Sequence, residues 1–462
     1  MRVAKNAVFY ALAGVSVSLL AFVQVKILTQ ALSKRDVGLY FGLFGTVLFV
    51  AEFLKLGIPQ ILPRFVPLYE AKGENLLARR LISILLLGYG LLLGIAGGIV
   101  WGLSRWVFPK SAFWHILPWA FLAFGLLAFL QTVSVGLVAQ RRIRIAALLT
   151  FLAQLGFTLL LWVHRHRLTL GLVFGDLLVA SGLMTGMGVL LLKPAWPKRW
   201  APEPEFWHFS RYAAMSTVFA PVYHYFDYVV LAGLTSYPSL ALFGVARRIE
   251  NFLRRLLWLP LETFAPELSF QSRDPGVAKE MASLLIRSYV LLGIIVAIPV
   301  WLFRKELIVL ISRSDYSGAT FFLFLLTFHV VLLSLSGPMG VIARSLGNMK
   351  ALFWGDALRN GLYMVAAVLL TQRYGPTGMA VSFLISTGIG VVYWFVVMRK
   401  MEVQVPSIGY LVTLGLWAGG IVWFGETVHP LWALLWVPSL LLPFWLPLSP
   451  VQRQRWLQFL HG

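Results

Sequence analysis

Cysteine is absent from the 462-residue chain, and charged residues make up only 12% of it. The lack of Cys excludes disulfides, thiol chemistry and Cys-ligated metal sites. Soluble domains contain about a quarter charged residues, so a charged fraction this small argues against an ordinary soluble fold. No Gly-rich phosphate loop is present, and the polar stretches are too short for an appended ATPase or catalytic domain. We therefore predict no metal, no cofactor and no enzymatic activity.

Apolar residues dominate the composition instead, at 59% of the chain. Apolar runs of about 20 residues, the length that crosses a bilayer core, recur about 14 times. The first run is too long for a cleavable signal peptide and lacks a cleavage site, so it reads as the first span. The sequence thus predicts an all-α polytopic membrane protein. Its approximate spans are 7–31, 37–57, 81–103, 113–137, 143–163, 168–192, 208–234, 240–262, 282–303, 318–339, 351–371, 377–398, 407–424 and 430–448.

Acidic residues are scarce, with 18 Asp and Glu against 39 Lys and Arg, and the net charge is +21. In a soluble protein such a positive charge would suggest that the protein binds nucleic acid. Here the loops predicted on one side of the membrane hold more than twice as many Lys and Arg as the loops on the other side. The positive-inside rule then places both termini in the cytoplasm. The excess charge is explained by topology and by contact with anionic membrane lipids, without a nucleic-acid partner.

The two halves of the chain resemble each other weakly. Residues 38–40 align with residues 241–243, and Pro63 aligns with Pro266 at the same spacing. Repeats of six spans predict two pseudo-symmetric six-helix lobes around a central cavity, related by an axis along the membrane normal. The predicted domains are an N-terminal lobe at 1–193, a cytoplasmic linker at 194–207, a C-terminal lobe at 208–400, and two further spans with a cytoplasmic tail at 401–462.

The eighth predicted span is unusual because it carries Arg247, Arg248, Arg254 and Arg255. An Arg at the bilayer centre costs about 3 kcal/mol on insertion scales, so such residues face a bundle interior or a watery cavity. Helix positions seven apart differ by about 20°, which places these arginines in two stripes. Glu250 lies within ion-pairing distance of Arg247 and Arg254. We therefore predict that the other stripe forms a cationic wall for an anion. An interfacial basic helix, or arginines bonded to carbonyl groups, is the alternative.

Several stretches, in this order and spacing, resemble the polysaccharide-transporter branch of the multidrug/oligosaccharidyl-lipid/polysaccharide exporter superfamily, which includes O-antigen flippase-like proteins. They are LSKRDVGLYFGLFGTV (32–47), LGIPQILPRFVPLYE (56–70), YFDYVVLAGL (225–234), ALFGVARRIENFL (241–253), and ARSLGNMKALFWGDALRNGLYMVAAVLLTQRYGPTGMAVSFLIS (343–386). The resemblance covers roughly residues 5–400. It implies two six-span lobes, a cationic central cavity and alternating access. Residue by residue, Arg64 and Asp227 fall on positions that the family shares, whereas four arginines in one span exceed the family pattern.

The resemblance implies a flippase that moves a lipid-linked oligosaccharide from the cytoplasmic to the outer leaflet of a bacterial inner membrane. Arginine forks suit the pyrophosphate of such a substrate. Arg248 and Arg255 are the first candidates to bind it, with Arg247 and Arg254 assisting. Lys26 faces the same cavity or snorkels to the interface. The last candidate is Arg64, which would anchor the headgroup at the cytoplasmic gate. The alternative is that a basic residue stands there only because the loop is cytoplasmic.

Candidate ion-coupling residues are Asp227 with His224 beside it, and Glu250. A buried carboxylate in a span suits a proton or a sodium ion. A static hydrogen bond, or a salt bridge to an Arg of the eighth span, is the alternative. His329 is expected to be a hydrogen-bonded core residue. We also expect two local ion pairs, Glu52 with Lys55 and Asp356 with Arg359.

Three rival functions remain open at the level of sequence. A flippase for the peptidoglycan lipid precursor also needs a cationic cavity. A multidrug exporter would prefer an acidic lumen, which the arginines disfavour. A polytopic glycosyltransferase or ligase would need catalytic residues on a large outer loop, and the outer loops here are short. The family resemblance also leaves polysaccharide polymerases open as partners.

Overall fold

The computed structural model describes residues 2–106, 112–195, 204–271 and 275–442. Within these ranges the regular structure is entirely helical, as predicted. The first eight helices are α1 (Arg2–Ala31), α2 (Lys34–Phe53), α3 (Ile58–Ala71), α4 (Asn75–Trp106), α5 (Ala112–Ala139), α6 (Ile143–His164), α7 (Leu170–Leu192) and α8 (Pro204–Thr217). They are followed by α9 (Phe219–Leu234), α10 (Tyr237–Gln271), α11 (Pro275–Leu302), α12 (Arg304–Ile311), α13 (Ala319–Ser345), α14 (Met349–Lys400), α15 (Ile408–Thr427) and α16 (Pro430–Leu434), with short 3-10 helices at Ser314–Tyr316 and Val437–Leu440.

Ten helices in the described ranges are long and apolar enough to cross a membrane, namely α1, α2, α4, α5, α6, α7, α11, α13, α14 and α15. Their outer surfaces are apolar as well. On α4, for example, Leu87, Leu91, Ile95 and Ile99 are each more than half exposed. A continuous apolar stripe of this kind marks a surface that contacts lipid or a partner rather than water. The chain is therefore a multi-pass membrane protein, while the number of fourteen spans stays a prediction.

Three predicted boundaries differ from the observed helices. The span predicted at 208–234 is divided between α8 and α9, which meet at Val218. Residues 58–71, which the prediction left between spans, form α3. The prediction missed this helix because its 14 residues are fewer than the about 20 that cross a bilayer. The span predicted at 430–448 runs past the described residues, and its described part is the short α16 and a 3-10 helix.

Helix α14 consists of two helices joined at Gly375, whose φ of 59° and ψ of −142° are not helical. The two halves pack against each other as an antiparallel hairpin. The rings of Tyr363 and Phe383 stack 4.6 Å apart across it. Near the turn, a Cβ on Gly378 would fall 2.0 Å from the carbonyl oxygen of Leu370. The predicted break between residues 371 and 377 therefore lies at the turn of this hairpin.

The helices group into two compact units, Met1–Gly244 and Val245–Gly462. In the first unit, α5 packs on α2, α3, α4, α6 and α7, while α2 also packs on α9 and α1 packs on α6. Aromatic side chains fill the centre of this unit: the ring of Phe44 contacts the rings of Phe124 and Tyr228 edge to face, at 5.4 and 5.8 Å. The predicted lobe boundaries and the pseudo-symmetry of the halves stay predictions.

The second unit is built around α13, which packs on α11 and α14, and α15 packs on the other side of α11. Its core is apolar, with Ile286, Ile298 and Met339 completely buried and the rings of Trp301 and Trp394 buried in the same cluster. This apolar surrounding determines the energetics of any charge placed inside the unit, because an ion buried there is removed from water.

Close contact between α2 and α9 depends on Gly45. A Cβ at this position would fall 2.0 Å from the Cβ of Tyr228, closer than any van der Waals contact allows. Small residues at membrane helix interfaces permit such close backbone approach, and van der Waals packing is a main source of helix association in lipid. Gly45 therefore fixes the distance between these two helices.

We expect Gly45→Ala to destabilise the protein by about 1–3 kcal/mol, the usual cost of overpacking a tight interface. The measurement is the thermal midpoint of the purified protein in detergent. Gly94→Ala on α4 is the matched control, because a Cβ there meets nothing within 4 Å. Equal midpoints for the two variants would contradict the assignment of Gly45 to a tight contact.

Candidate functional site

Helix α10 presents its four arginines to different environments. Arg247 and Glu250 are completely buried, and the Arg254 side chain is only 13% exposed. Arg248 is half-buried and Arg255 is exposed. One stripe of the helix therefore faces the interior of the second unit, and the other stripe is accessible at its surface.

Glu250 is the centre of a buried charge cluster made of Arg247, Glu250, Arg254 and His329. Arg247 Nη1 donates to Glu250 Oε2, and Arg254 Nε lies 3.2 Å from Oε1 of the same carboxylate. The predicted pairing of Glu250 with both arginines is thus confirmed. His329 Nδ1 on α13 lies 3.2 Å from Glu250 Oε1, so the expected core histidine is a hydrogen-bonded one.

An aromatic floor supports this cluster. The guanidinium carbon of Arg247 lies 4.4 Å from the ring centroid of Phe383, a cation–π distance. The His329 ring lies 4.9 Å from the same ring. Phe383 in turn stacks on Tyr363 across the α14 hairpin. Three helices therefore hold the charge cluster. Helix α10 supplies its ion pairs, α13 supplies His329, and α14 supplies the ring of Phe383.

The charge cluster has one carboxylate for two guanidinium groups, so it carries a formal charge of at least +1. Arg247 is committed to this interior arrangement, since it is completely buried and bonded to Glu250. Arg254 shares the carboxylate and also donates from Nη2 to Asn251 Oδ1 at 2.7 Å. The accessible guanidinium groups of α10 are consequently those of Arg248 and Arg255.

The other predicted substrate-binding residues lie in the first unit. Gln24 on α1 donates to Gln154 Oε1 at 3.0 Å and to Thr158 Oγ1 at 2.9 Å, both on α6. Lys26 lies two residues, about 200°, around α1 from this contact and is half-buried. Arg64 on α3 is exposed, and its guanidinium lies 4.4 Å from the ring centroid of Phe209 on α8. Neither is part of the charge cluster on α10.

The predicted ion-coupling residues are separated by burial. Asp227 on α9 is completely buried, whereas His224, one turn earlier, is exposed with its ring 5.1 Å from that of Tyr223. Glu250 is occupied by two arginines and a histidine. Asp227 is thus a buried acid of the first unit, and Glu250 is a buried acid of the second.

Sequence reasoning missed the pairing of a half-buried histidine with a buried acid and anticipated two local ion pairs. His164 Nδ1 at the end of α6 lies 3.0 Å from Asp176 Oδ1 on α7. The short connection between these helices was a usable signal, because it forces their ends together. The expected pairs Glu52 with Lys55 and Asp356 with Arg359 are both confirmed. Among the described residues no group of three or more His, Asp or Glu is arranged to hold a metal ion.

A family of sequences described as polysaccharide biosynthesis proteins matches residues 3–269, which is more than half of the chain. The chain belongs to this family. The family resemblance stated from the sequence is thereby confirmed. A comparison with curated protein sequences finds no significant match.

Solved structures of other proteins share the fold of this chain. It is similar to the lipid II flippase MurJ in an inward closed conformation, with a TM-score of 0.70, 14% identity, and coverage of 98% of this chain and 100% of that one. It is also similar to an inward-facing multidrug resistance MATE family transporter of the MOP superfamily, with a TM-score of 0.63, 14% identity and coverage of 84% and 95%. A third similar structure is the Vibrio cholerae MATE transporter VcmN in its bent form, with a TM-score of 0.55, 14% identity, and coverage of 86% of this chain and 98% of that one.

We expect Glu250→Gln to destabilise the protein by about 3–5 kcal/mol, because the change leaves buried guanidinium groups without their carboxylate. Glu306→Gln, which removes an exposed carboxylate from the same unit, is the matched control and should change stability little. Thermal midpoints in detergent compare the two. A loss for Glu250→Gln no greater than that of the control would show that Glu250 does not hold the charge cluster together.

Proposed function

We propose that this protein is a flippase that moves an anionic lipid-linked oligosaccharide, carried on polyprenyl pyrophosphate, to the outer leaflet by alternating access. The product would serve surface polysaccharide biosynthesis. The observation that carries the proposal is the division of the α10 arginines. Arg247 and Arg254 are bonded to Glu250, whereas Arg248 and Arg255 lie at accessible positions on the same helix.

Pyrophosphate is the part of such a substrate that an arginine recognises best. A guanidinium group presents five N–H donors in a planar fork, which matches two oxygens of a phosphate at once. Arg248 and Arg255 lie two turns apart on one side of α10, about 10.5 Å along the helix axis. This spacing suits two successive contacts of one diphosphate with the helix. Lys26 and Arg64 are proposed as further cationic contacts for the substrate.

The setting of the proposed function is the cytoplasmic membrane of a bacterium, with both termini on the cytoplasmic side. The lipid carrier would remain among the apolar helix surfaces, such as the exposed stripe of α4. Moving the polyprenyl chain into water would cost about 0.8 kcal/mol for each CH₂ group. Keeping the chain in lipid avoids this cost. The protein would then need to shield only the headgroup.

A flippase for the peptidoglycan lipid precursor is the second candidate. The fold likeness to the lipid II flippase MurJ extends over nearly the whole of both chains, which favours this candidate over a multidrug exporter. The accessible arginines also disfavour a cationic drug as cargo, because like charges repel in a low-dielectric surrounding. Competition between the two lipid-linked substrates in one assay would separate the first candidate from the second.

We expect Arg248→Ala/Arg255→Ala to slow headgroup transfer at least about tenfold, because each charge-assisted hydrogen bond contributes about 1.5–3 kcal/mol. Proteoliposomes containing fluorescent polyprenyl-pyrophosphate oligosaccharide report the transfer by accessibility of the label. Lys350→Ala/Arg399→Ala, two exposed basic positions in the same unit, removes the same charge elsewhere.

Equal transfer by the two double variants would remove the headgroup site from α10. If the unmodified protein joined the labelled sugar covalently to an acceptor, the protein would be a glycosyltransferase or ligase and not a flippase. If the protein exported a cationic dye and needed neither arginine to do so, it would be a multidrug exporter.

Ion coupling is proposed at Asp227, with His224 and Glu250 as further candidates. Asp227 is suited to bind a proton or sodium ion because it is a completely buried carboxylate on a membrane helix. Asp227→Asn should therefore abolish the response of transport to an imposed proton or sodium gradient while leaving gradient-free equilibration intact. The measurement is initial transfer rate with and without each gradient. An unchanged gradient response in the variant would exclude Asp227. The control is Asp36→Asn, at a half-buried position in the first turn of α2.

A further inference from the structure

A polar cavity lies in the first unit. Its volume is about 210 Å³, and it is lined by the ends of four helices. Residues from the end of α3, the start of α4, the α5–α6 connection and the end of α7 contribute to it: Glu70, Asn75, Arg79, Gln140, Arg142, Leu192 and Lys193. We call this cavity the basic pocket, because three cations face one carboxylate.

Two side chains brace the wall of the basic pocket. Arg142 Nη1 donates to the carbonyl oxygen of Leu191 at 2.6 Å, and Gln140 Nε2 donates to the carbonyl oxygen of Leu192 at 3.3 Å. These bonds satisfy carbonyl groups at the end of α7, which would otherwise present partial negative charge to the cavity. The start of α4, at Asn75, instead contributes the positive end of a helix dipole. The pocket is therefore favourable for an anion through its backbone as well as its side chains.

The accessible cations of the basic pocket are Arg79 and Lys193, both exposed. Arg142 uses one of the five N–H donors of its guanidinium for the Leu191 carbonyl. Arg142 and Lys193 lie in connections between helices, and Arg79 lies near the start of α4, all at the side that the positive-inside rule places in the cytoplasm. This is the level at which the headgroups of the inner leaflet lie.

The helices that form the basic pocket also present apolar surface directly beside it. Leu183 and Leu190 on α7 are 65% and 78% exposed, and Leu190 lies two residues before the pocket residue Leu192. Helix α4 leads from Arg79 to the exposed stripe that begins at Leu87. A ligand with a phosphate and acyl chains could occupy both surfaces, which a free phosphate ion could not. A volume near 210 Å³ is below the range of pockets for drug-sized ligands, so an oligosaccharide headgroup does not fit.

We infer that the basic pocket binds the phosphodiester headgroup of an anionic phospholipid of the inner leaflet, with the acyl chains against α4 and α7. Basic pockets between membrane helices on the cytoplasmic side are a known way to hold anionic headgroups. The pocket ties together the ends of α3, α4, α5 and α7, so a bound lipid stabilises the first unit. The site is separate from the proposed headgroup site on α10.

The test is a thermal-shift titration of the full-length protein in neutral detergent with phosphatidylglycerol. Arg79→Gln/Lys193→Gln removes the two accessible cations and leaves the bracing Arg142 in place. Lys350→Gln/Arg399→Gln removes two exposed cations from the second unit and controls for diffuse charge. We expect phosphatidylglycerol to raise the midpoint of the parent and of the control, and its apparent Kd to rise at least about tenfold in the pocket variant.

Three results would overturn the inference. Equal Kd values for the pocket variant and the control would make the lipid effect one of diffuse charge. An equal shift with zwitterionic phosphatidylcholine would remove the role of the anionic headgroup, and an equal shift with inorganic phosphate would make the ligand a free ion. Lys193→Gln alone is titrated in the same way, so that the answer does not depend on the folding of the double variant. The readout requires no transport, and it is therefore independent of the proposed function.

Discussion

The burial of Arg247 against Glu250 is the interaction on which the second unit depends. A guanidinium group removed from water in an apolar surrounding is costly by itself, and the attraction of a nearby carboxylate offsets that cost only when hydrogen bonds complete the pair. Here Arg254 and His329 complete it on the carboxylate side, and Phe383 covers the guanidinium. The positions of α10, α13 and the α14 hairpin are thereby linked through one carboxylate.

The two units use different means of holding membrane helices together. In the first unit, a glycine on α2 admits the side chain of Tyr228, and aromatic rings fill the surrounding space. In the second unit, a buried charge cluster links α10 to His329 on α13 and to Phe383 on α14. Close packing requires shape to match, whereas the charge cluster requires opposite charges to meet. Both means act within lipid, where the hydrophobic effect between helices is weak.

Much of the fold could be predicted from hydropathy, because span length is imposed by the bilayer. The all-helical class, most helix positions and the break near Gly375 followed from that constraint. The short α3 and the division at Val218 did not, because neither changes average hydropathy over a 20-residue window. Helical spacing also predicted which arginines Glu250 would bond. It could not predict His329 or Phe383 as neighbours, since contacts between residues 79 or more positions apart depend on tertiary packing. For the same reason, the basic pocket had no counterpart in the sequence-based prediction.

The spacing of Glu250 within α10 has a consequence for how the chain enters the membrane. His329 and Phe383 follow Arg247 by many residues and are synthesised well after it, whereas Glu250 lies one turn away and emerges almost at once. The local ion pair can therefore form as soon as the helix forms, before α13 and α14 exist. Nascent α10 would then reach the lipid with its most deeply buried cation already matched, and the later helices would dock onto a charge that is largely neutralised. The order of synthesis and the order of electrostatic compensation thus agree.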